Sequence, residues 1–434
     1  MPHEVFHYKS WQEIDQTAAT QGVRLPHCED MQALKAPLRI GNHVAANRIA
    51  LQPMEGTDGA ADGRPGELTI RRYHRFAEGG AGLIWFEAVS TAPEARASAH
   101  QLMITPENLG DFQRLVDEIK ERGLRKNGYA PVVVMQATHS GRYSKPRGVP
   151  EPLIAYNNPF LEDVPLPSDR ILTDGQLRAY EERFGQTAKL AQAAGFDGMD
   201  IKCCHRYLAC ELLSAYTREG EYGGCFENRT RFLRNAYAAA RANLRGDFFL
   251  TSRINIYDGF PYPYGFGVSP EGGLAPCLDE AIRLAKLLKD ELGAPILNLT
   301  MGNPYKNPHV NRPYDRGNYI PDEHPLVGVA RMMDGVTQVQ RALKDLPVIG
   351  SAFSYLRQFA PQLAAGMVAE GRCAMAGFGR LAFADPDFPG KILAGAALDT
   401  PCVTCGGCAQ LLRAGIPAGC VVRDRQHYSL EVRK

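Results

Sequence analysis

Residues 197–208 read Asp197-Gly-Met-Asp-Ile-Lys-Cys-Cys-His-Arg-Tyr-Leu208, which is a short apolar pattern followed at once by chemically active side chains. The pattern from Gly198 to Lys202 predicts a strand, and polar residues at the carboxyl end of a strand are typical of α/β folds. Lys202, His205 and Tyr207 carry proton-donating groups of different acidity within six residues. This segment therefore favours a catalytic loop over an ordinary surface loop.

Working outward, β-rich runs alternate with helical patterns along the chain. One such pattern, Gln176 to Ala194, opens with a capping-box signal at Thr173. Polar and Gly-rich residues follow each strand, which favours a (β/α)8 TIM barrel with its site at the carboxyl strand ends. Eight strands are predicted at Asn47 to Met54, Gly82 to Ala88, Pro131 to Ala137, Gly198 to Lys202, Phe248 to Ile254, Pro295 to Thr300, Leu346 to Gly350 and Cys373 to Gly377.

We divide the chain into an N-terminal extension over residues 1–37, an α/β barrel over 38–397 and a cysteine-rich tail over 398–434. Residues 259–275 are dense in Gly, Pro and Tyr and predict a long loop above the site. Lys and Arg total 49 against 48 Asp and Glu, which gives no sign of nucleic-acid or membrane binding. The chain shows no leader pattern and no long apolar run, so we expect a cytoplasmic protein.

The predicted seventh and eighth strands end in glycine-rich loops. These loops read Ile349-Gly-Ser-Ala352 and Ala376-Gly-Phe-Gly-Arg380. Barrels often hold a phosphate with backbone N–H groups at this position, and glycine allows the close approach. Arg380 could add a bidentate cation, so we expect a phosphate here.

Seven motifs, in this order, resemble the Old Yellow Enzyme family of FMN-dependent oxidoreductases, and most closely its 2,4-dienoyl-CoA reductase-like branch. The motifs are Asn47-Arg-Ile-Ala-Leu-Gln-Pro-Met54, Gly79-Gly-Ala-Gly-Leu-Ile-Trp-Phe-Glu-Ala88, Gln136-Ala-Thr-His-Ser-Gly-Arg142, Gly195-Phe-Asp-Gly-Met-Asp-Ile201, Tyr222-Gly-Gly-Cys-Phe-Glu-Asn-Arg229, Arg253 and Gly377-Phe-Gly-Arg380.

The resemblance implies FMN, with Arg253 near N1 and the C2 carbonyl of the ring, where a guanidinium stabilises the negative charge of the reduced flavin. Gln136 would contact the pyrimidine edge. The remaining residues expected at the cofactor are Pro53, Met54, Glu55 and Ala88 at the ring, and Gly350, Ser351, Ala352, Gly379 and Arg380 at the phosphate.

The resemblance also assigns the catalytic residues. Side chains at the positions of Lys202 and His205 hold a carbonyl oxygen, and Tyr207 donates a proton to the carbon alpha to it. The first of these positions is usually His, and a lysine there suits an anionic substrate group or pairs with Glu87 or Asp200. Glu55 also departs from the family, where a small polar residue is common. Tyr305 and Arg312 are candidate substrate contacts.

The tail sequence Cys402-Val-Thr-Cys405-Gly-Gly-Cys408, with Cys420 beyond it, predicts a metal site. A C-x2-C-x2-C loop with a remote cysteine can hold a [4Fe–4S] cluster, while zinc more often takes paired knuckles. Zinc and free thiols remain alternatives. The chain has no G-x-G-x-x-G after a strand, so we expect no FAD and nicotinamide domain. Electrons would come from an electron-donor protein through the cluster or from NAD(P)H docking on FMN.

We therefore expect a homo-oligomeric ene-reductase that saturates the double bond of a small enone, enoate or dienoyl thioester. The enzymatic rival is a flavin-dependent amine dehydrogenase or demethylase, against which the positive charge of Lys202 argues. A zinc-bound, non-catalytic binding module is a rival of another class. Cys203, Cys204 and Cys210 are interpreted as buried small apolar residues and not as redox thiols.

Overall fold

The computed structural model describes residues 4–317 and 319–430, so the outermost residues of the predicted extension and tail lie outside the description. Within these ranges eight parallel strands form a closed barrel in the order β10-β3-β4-β5-β6-β7-β8-β9, and two further strands form an antiparallel hairpin. The strands are β1 (Leu38–Ile40), β2 (His43–Ala45), β3 (Ile49–Leu51), β4 (Leu83–Ser90), β5 (Val132–Thr138), β6 (Gly198–Ile201), β7 (Phe249–Asn255), β8 (Leu297–Thr300), β9 (Val348–Gly350) and β10 (Met375–Phe378).

Helices follow the barrel strands and cover the outside of the sheet. They are α1 (Trp11–Thr20), α2 (Gln32–Lys35), α3 (Glu67–Glu78), α4 (Leu109–Asn127), α5 (Asp174–Ala193), α6 (Leu208–Leu213), α7 (Phe226–Arg229), α8 (Arg231–Ala242), α9 (Asp279–Asp290), α10 (Pro308–Asn311), α11 (Pro325–Leu343), α12 (Ala360–Ala369), α13 (Arg380–Ala384), α14 (Phe388–Leu393) and α15 (Gly407–Arg413). This architecture is a (β/α)8 barrel, as the sequence predicts.

All eight predicted barrel strands overlap observed ones. The capping box at the start of α5 is also present, with the Gln176 amide donating to the Thr173 hydroxyl at 3.2 Å and the Thr173 amide donating to the Gln176 side chain at 2.8 Å. Residues 259–275 contain no helix and no strand beyond the isolated bridge of Val268 to Pro276, in agreement with the predicted loop. The extension is partly helical, through α1 and α2.

The hairpin β1–β2 is not in the prediction. Its inward residues Ile40 and Ala45 are fully buried and join Trp85, Val134 and Ile296 in one apolar cluster inside the barrel. The hairpin thus closes the end opposite the carboxyl strand ends, which is why a three-residue strand with one buried side chain is stable there.

The tail after the barrel packs back onto it. Leu411, Ala418 and Tyr428 form an apolar cluster with Leu68 of α3. Asp424 accepts hydrogen bonds from two arginines of the same helix, at 2.7 Å and 2.9 Å. The boundaries at residues 37 and 397 stay a prediction. Among the described helices, none has the length and apolarity needed to span a membrane.

Candidate active site

The carboxyl ends of the strands surround an open cavity. Most of the predicted site residues line it: Pro53, Met54, Glu55, Gln136, Lys202, His205, Tyr207, Arg253, Tyr305, Arg312, Ser351, Ala352, Gly379 and Arg380. Ala88 and Gly350 are buried in β4 and β9 and are not part of the lining. The sequence motifs therefore converge on one place, although they are spread over more than 300 residues of chain.

The loop after β6 has an unusual backbone. His205 and Arg206 have φ angles of 61° and 62°, a left-handed conformation that costs non-glycine residues free energy. Arg206 is fully buried, and its guanidinium donates to Asp258 at 2.9 Å and to the Tyr156 hydroxyl at 3.1 Å. The His205 amide donates to the Asn255 side chain at 3.1 Å. This buried network holds the strained loop that presents the three candidate catalytic side chains.

Lys202 is only 5% exposed, and its charge is paired at long range. Its Nζ lies 3.7 Å from Oε1 of Glu55 and 3.5 Å from the ring centre of Tyr207. The first distance is an ion pair without a hydrogen bond. The sequence suggested Glu87 or Asp200 as a partner, but both carboxylates bind other groups. Among the described residues, none accepts a hydrogen bond from this ammonium, so its N–H donors are available to a ligand.

His205 is held as a neutral imidazole. The Asn311 amide lies 2.9 Å from its Nε2 and Thr300 Oγ1 lies 3.4 Å away. Burial, together with the nearby cations of Arg253 and Lys202, holds the pKa of His205 well below its ordinary value. Because the amide donates to Nε2, the contact assigns the proton to Nδ1. The ring can therefore donate one hydrogen bond without carrying charge.

Three tyrosines meet beside the cation. The hydroxyls of Tyr207 and Tyr305 are 2.9 Å apart, and the ring of Tyr143 stacks on Tyr305 at 3.9 Å between centres. The Asn303 amide donates to the Tyr143 hydroxyl at 2.6 Å. Burial, reinforced by the Glu55 carboxylate, raises the pKa of Tyr207, so the phenol keeps its proton at neutral pH. Tyr143 and Asn303 were not predicted from the sequence, although Tyr143 directly follows the motif that ends at Arg142 and Asn303 lies two residues before the candidate Tyr305.

Asp200 fixes the amide of Gln136. Gln136 Nε2 donates to Asp200 at 2.6 Å, and Trp85 Nε1 donates to the same oxygen at 2.7 Å. Burial raises the pKa of Asp200 to about 6, although these hydrogen bonds oppose the shift. The contact orients the Gln136 side chain so that its carbonyl oxygen receives no hydrogen bond from the residues that the structure describes, and it can accept one from an imide N–H.

The other wall of the cavity is a narrow backbone cradle. A Cβ on Gly379 would lie 2.9 Å from the Met54 sulfur, so a side chain there would crowd the cavity. Ala352 has a left-handed φ of 74°. Arg380 is 8% exposed and makes no side-chain hydrogen bond to any residue in the described ranges, and Arg253 has a buried Nε without a partner there. Two cations without acceptors, a glycine cradle and an oriented amide fit the phosphate and ring of FMN.

A buried ionic network supports the loop that begins with Gln52. The Gly56 amide donates to Glu87 at 2.8 Å, and Glu87 pairs with Arg72 at 2.5 Å. Arg72 also binds Asp58 of the same loop. Burial raises the pKa of Glu87 to about 7, against the opposing charge of Arg72. This buried network therefore holds the loop that carries Pro53, Met54 and Glu55 in place.

The four predicted metal ligands of the tail line a second, smaller cavity together with Arg380 and Phe383. Within the described ranges, no set of three or more His, Cys, Asp or Glu side chains has the spacing to hold a single metal ion. Thr404, between the first two cysteines, donates to the buried Asp315 at 3.1 Å. The cysteine loop is therefore anchored to the barrel, and Cys408 contributes to both cavities.

The other predicted details near the site are structural. Cys203, Cys204 and Cys210 are fully buried, and burial raises the pKa of each thiol, so they remain protonated apolar residues. Burial lowers the pKa of His139 to about 3. Arg142 forms buried ion pairs with two glutamates at 2.7 Å. These side chains shape the loops and leave the chemistry to the cavity.

Comparison with known proteins matches residues 33–263 to the NADH:flavin oxidoreductase / NADH oxidase family. The chain is 29% identical to NADH oxidase of Thermoanaerobacter brockii over 85% of its own length and 52% of that protein. It is 27% identical to cinnamate reductase of Clostridium sporogenes over 91% of this chain and 58% of that protein. The chain thus spans little more than half the length of these curated relatives. An NADPH dehydrogenase of Clostridium acetobutylicum is 30% identical, with 58% of this chain and 69% of that protein covered.

Solved structures show the same fold. 2-Naphthoyl-CoA reductase in complex with 2-naphthoyl-CoA superposes with a TM-score of 0.74 at 21% identity, covering 91% of this chain and 57% of that one. Histamine dehydrogenase from Rhizobium sp. 4-9 gives 0.69 at 20% identity, covering 90% and 52%. An old yellow enzyme homologue from Zymomonas mobilis gives 0.62 at 21% identity, covering 85% and 94%. The family match over residues 33–263, which is more than half of the chain, shows that the chain belongs to the Old Yellow Enzyme family, the NADH:flavin oxidoreductases.

Proposed function

We propose that this protein reduces the activated C=C bond of a small unsaturated carbonyl compound. The observation that supports this most is the meeting of three donors, Lys202, His205 and Tyr207, in the cavity whose other walls fit FMN. One donor is cationic, one is a neutral imidazole, and one is a phenol held in its protonated form. This set can stabilise charge on a carbonyl oxygen and supply a proton.

The residues of the site have different roles because their side chains differ in charge. Lys202 and His205 hold the carbonyl oxygen and stabilise the negative charge that develops on it. Tyr207 transfers its proton to the carbon alpha to that carbonyl, and the Tyr305 hydroxyl at 2.9 Å can return a proton to it. Bound FMN supplies, in its reduced form, the hydride for the beta carbon. Gln136 and Arg253 would hold the ring, while Arg380 and the Gly379 backbone would hold the phosphate.

For the tail we propose a [4Fe–4S] cluster held by Cys402, Cys405, Cys408 and Cys420. These cysteines share one cavity but not the spacing around a single ion. A four-iron cluster keeps its thiolates farther apart than one zinc ion does. NAD(P)H docking on FMN or an electron-donor protein would then supply the electrons. Homo-oligomeric assembly and the cytoplasmic location stay predictions.

An amine dehydrogenase has less support. A cationic amine is commonly bound against aromatic faces, and the Tyr207 face already carries the Lys202 ammonium at 3.5 Å. A second cation there would meet like charge in a poorly solvated place. Formaldehyde release from a tertiary or quaternary methylamine would reverse this preference. A zinc-bound binding module would require a colourless protein that contains zinc without iron.

The test is the substitution Tyr207→Phe, followed by stopped-flow measurement of the two half-reactions. Loss of the phenol proton should slow flavin oxidation by an alkene about 10²- to 10⁴-fold and leave flavin reduction by NAD(P)H near its wild-type rate. Tyr262→Phe, at a tyrosine 43% exposed and outside the cavity lining, is the control. Equal slowing of both half-reactions would reject Tyr207 as the proton donor.

A further inference from the structure

The cavity lining has an excess of positive charge. Its charged side chains are one carboxylate, Glu55, and five cations, Lys202, Arg253, Arg312, Arg380 and Arg413. Lys202, Arg253 and Arg380 are 5%, 7% and 8% exposed. Cations held this far from water are costly unless anions compensate them. The working cavity must therefore contain anions.

FMN compensates only part of this charge. Its phosphate carries about two negative charges near neutral pH, and the reduced ring carries about one more. Arg413 is exposed to solvent and needs no buried counter-ion. Together with Glu55, the charges of FMN balance the other four cations while the ring is reduced and leave about one cation without an anion while the ring is oxidised. The thiolate of Cys408, which belongs to the proposed cluster, can compensate Arg380 in the same lining, so a substrate anion is the remaining partner for Lys202 beside Glu55.

Lys202 is the cation best placed to bind a negative charge on the substrate. Its pairing with Glu55, at 3.7 Å, lacks a hydrogen bond. It lies on the face of Tyr207, the residue that would protonate the substrate's alpha carbon. A ketone or ester oxygen needs only a neutral donor, whereas an ammonium forms its strongest, charge-assisted hydrogen bond with a carboxylate.

We propose that Lys202 selects substrates whose double bond is conjugated to a free carboxylate, that is 2-enoates, over the matching aldehyde, ester or thioester. Glu55 holds the ammonium loosely in the empty cavity and shares it with the substrate carboxylate on binding. This inference rests on the proposed ene-reductase function and names its substrate class. Lys202 is thus a specificity-determining residue in addition to its role at the carbonyl oxygen.

The first test measures binding without turnover. The FMN-loaded, oxidised protein is titrated with benzoate and with the neutral analogue benzamide, using the change in flavin absorbance as the signal. Lys202→Gln should weaken benzoate binding about 10- to 100-fold, the value expected for a charge-assisted hydrogen bond, and weaken benzamide binding by clearly less, because the glutamine amide can still donate to the benzamide carbonyl oxygen. Lys189→Gln, on an exposed lysine of α5, is the matched control. Glu55→Gln should tighten benzoate binding because it removes the internal competitor.

A second variant at the same position controls for a loss of binding that is caused by misfolding. Lys202→His restores the donor that is usual in the family and should keep benzamide binding while it loses the benzoate preference. Equal affinity of the wild-type protein for benzoate and benzamide would overturn the inference. So would equal weakening of both ligands by Lys202→Gln in a variant that still binds FMN.

Turnover separates this inference from the function on which it rests. The reduced holoenzyme is mixed with cinnamate, methyl cinnamate and cinnamaldehyde. Faster reduction of cinnamate, with the preference lost in Lys202→His, supports the inference. Reduction of the aldehyde and ester but not the acid overturns the inference and leaves the ene-reductase proposal standing. Reduction of none of the three, in a protein whose flavin NAD(P)H still reduces, counts against the ene-reductase proposal itself.

Discussion

The buried pair Arg206–Asp258 should control both the stability of the protein and the geometry of its catalytic loop. Both side chains are 0% exposed, and Asp258 also accepts from Asn255 at 2.8 Å and from the Phe266 amide at 3.1 Å. Removing one partner of a buried pair leaves the other charge without compensation, which costs about 3–5 kcal/mol. We therefore expect Asp258→Ala to destabilise the protein by that amount, measured as the shift in urea unfolding followed by circular dichroism.

A double-mutant cycle shows whether the cost comes from the uncompensated charge. Arg206→Met in the Asp258→Ala background removes the stranded guanidinium, so the double variant should lose about 2–3 kcal/mol less than the sum of the two single variants. Glu221→Gln breaks the exposed pair with Arg178, whose side chains are 60% and 53% exposed, and should change stability by less than about 1 kcal/mol.

The loop adds a functional readout to the same variants. Arg206 and Asp258 do not line the cavity, so FMN binding should persist in the folded fraction. The strained backbone at His205 and Arg206 depends on this pair, and its relaxation should slow the alkene half-reaction about 100-fold through misplacement of the donors. Additive destabilisation in the cycle, or an activity loss no greater than the loss of folded protein, would refute this reasoning.

Three further predictions follow from the cavity and the tail. Burial raises the pKa of Asp200 to about 6, above its unfolded value of about 4, so its contribution to stability is fully present below about pH 4 and is lost as the pH rises through 6. Asp200→Asn should therefore flatten the curve of unfolding free energy against pH by about 2–3 kcal/mol over that interval. An unchanged curve would contradict the raised pKa of Asp200. Gly379→Ala should weaken FMN binding to the apoprotein by at least about tenfold in a fluorescence titration, because the new Cβ would lie 2.9 Å from the Met54 sulfur. Unaltered affinity would mean that the cavity beside Gly379 has room for a Cβ. Cys420→Ser should lower the iron and sulfide content of anaerobically reconstituted protein while flavin content stays near wild type; full iron content in this variant would exclude Cys420 as a ligand.

The barrel could be predicted from the sequence because its signal repeats. Each strand is a short apolar run followed by Gly or polar residues, and eight such units leave few alternatives to a closed parallel sheet. The hairpin β1–β2 has no such signal. Its strands have three residues each, and only Ile40 and Ala45 are fully buried, so its stability comes from the barrel interior and not from local pattern.

The site residues likewise divide into those that could be predicted from the sequence and those that could not. Side chains that follow strands directly, such as Gln136 and Lys202, could be assigned because the strand end fixes where they point. The ionic partner of Lys202 could not, because Glu87, Asp200 and Glu55 all follow or lie on neighbouring strands and only the three-dimensional packing decides among them. Tyr143 was missed because it lies one residue beyond the motif that ends at Arg142, in a 3-10 turn where the strand end no longer fixes the direction of the side chain.

The tail is a wall of the active site and not an appendage to it. Helix α15 contributes Ala409, Leu412 and Arg413 to the cavity lining. Three further residues, Arg380, Phe383 and Cys408, line both the flavin cavity and the cysteine cavity, so one layer of side chains separates them. The Ala418 amide also donates to the Gly56 carbonyl at 2.7 Å, on the loop that carries Met54 and Glu55. A group held by these cysteines would therefore act on the proposed flavin in two ways, through Arg380, which is expected at its phosphate, and through the loop that carries Met54 and Glu55. A barrel without this tail would keep the strand-end residues but lose one side of the cavity in which they work.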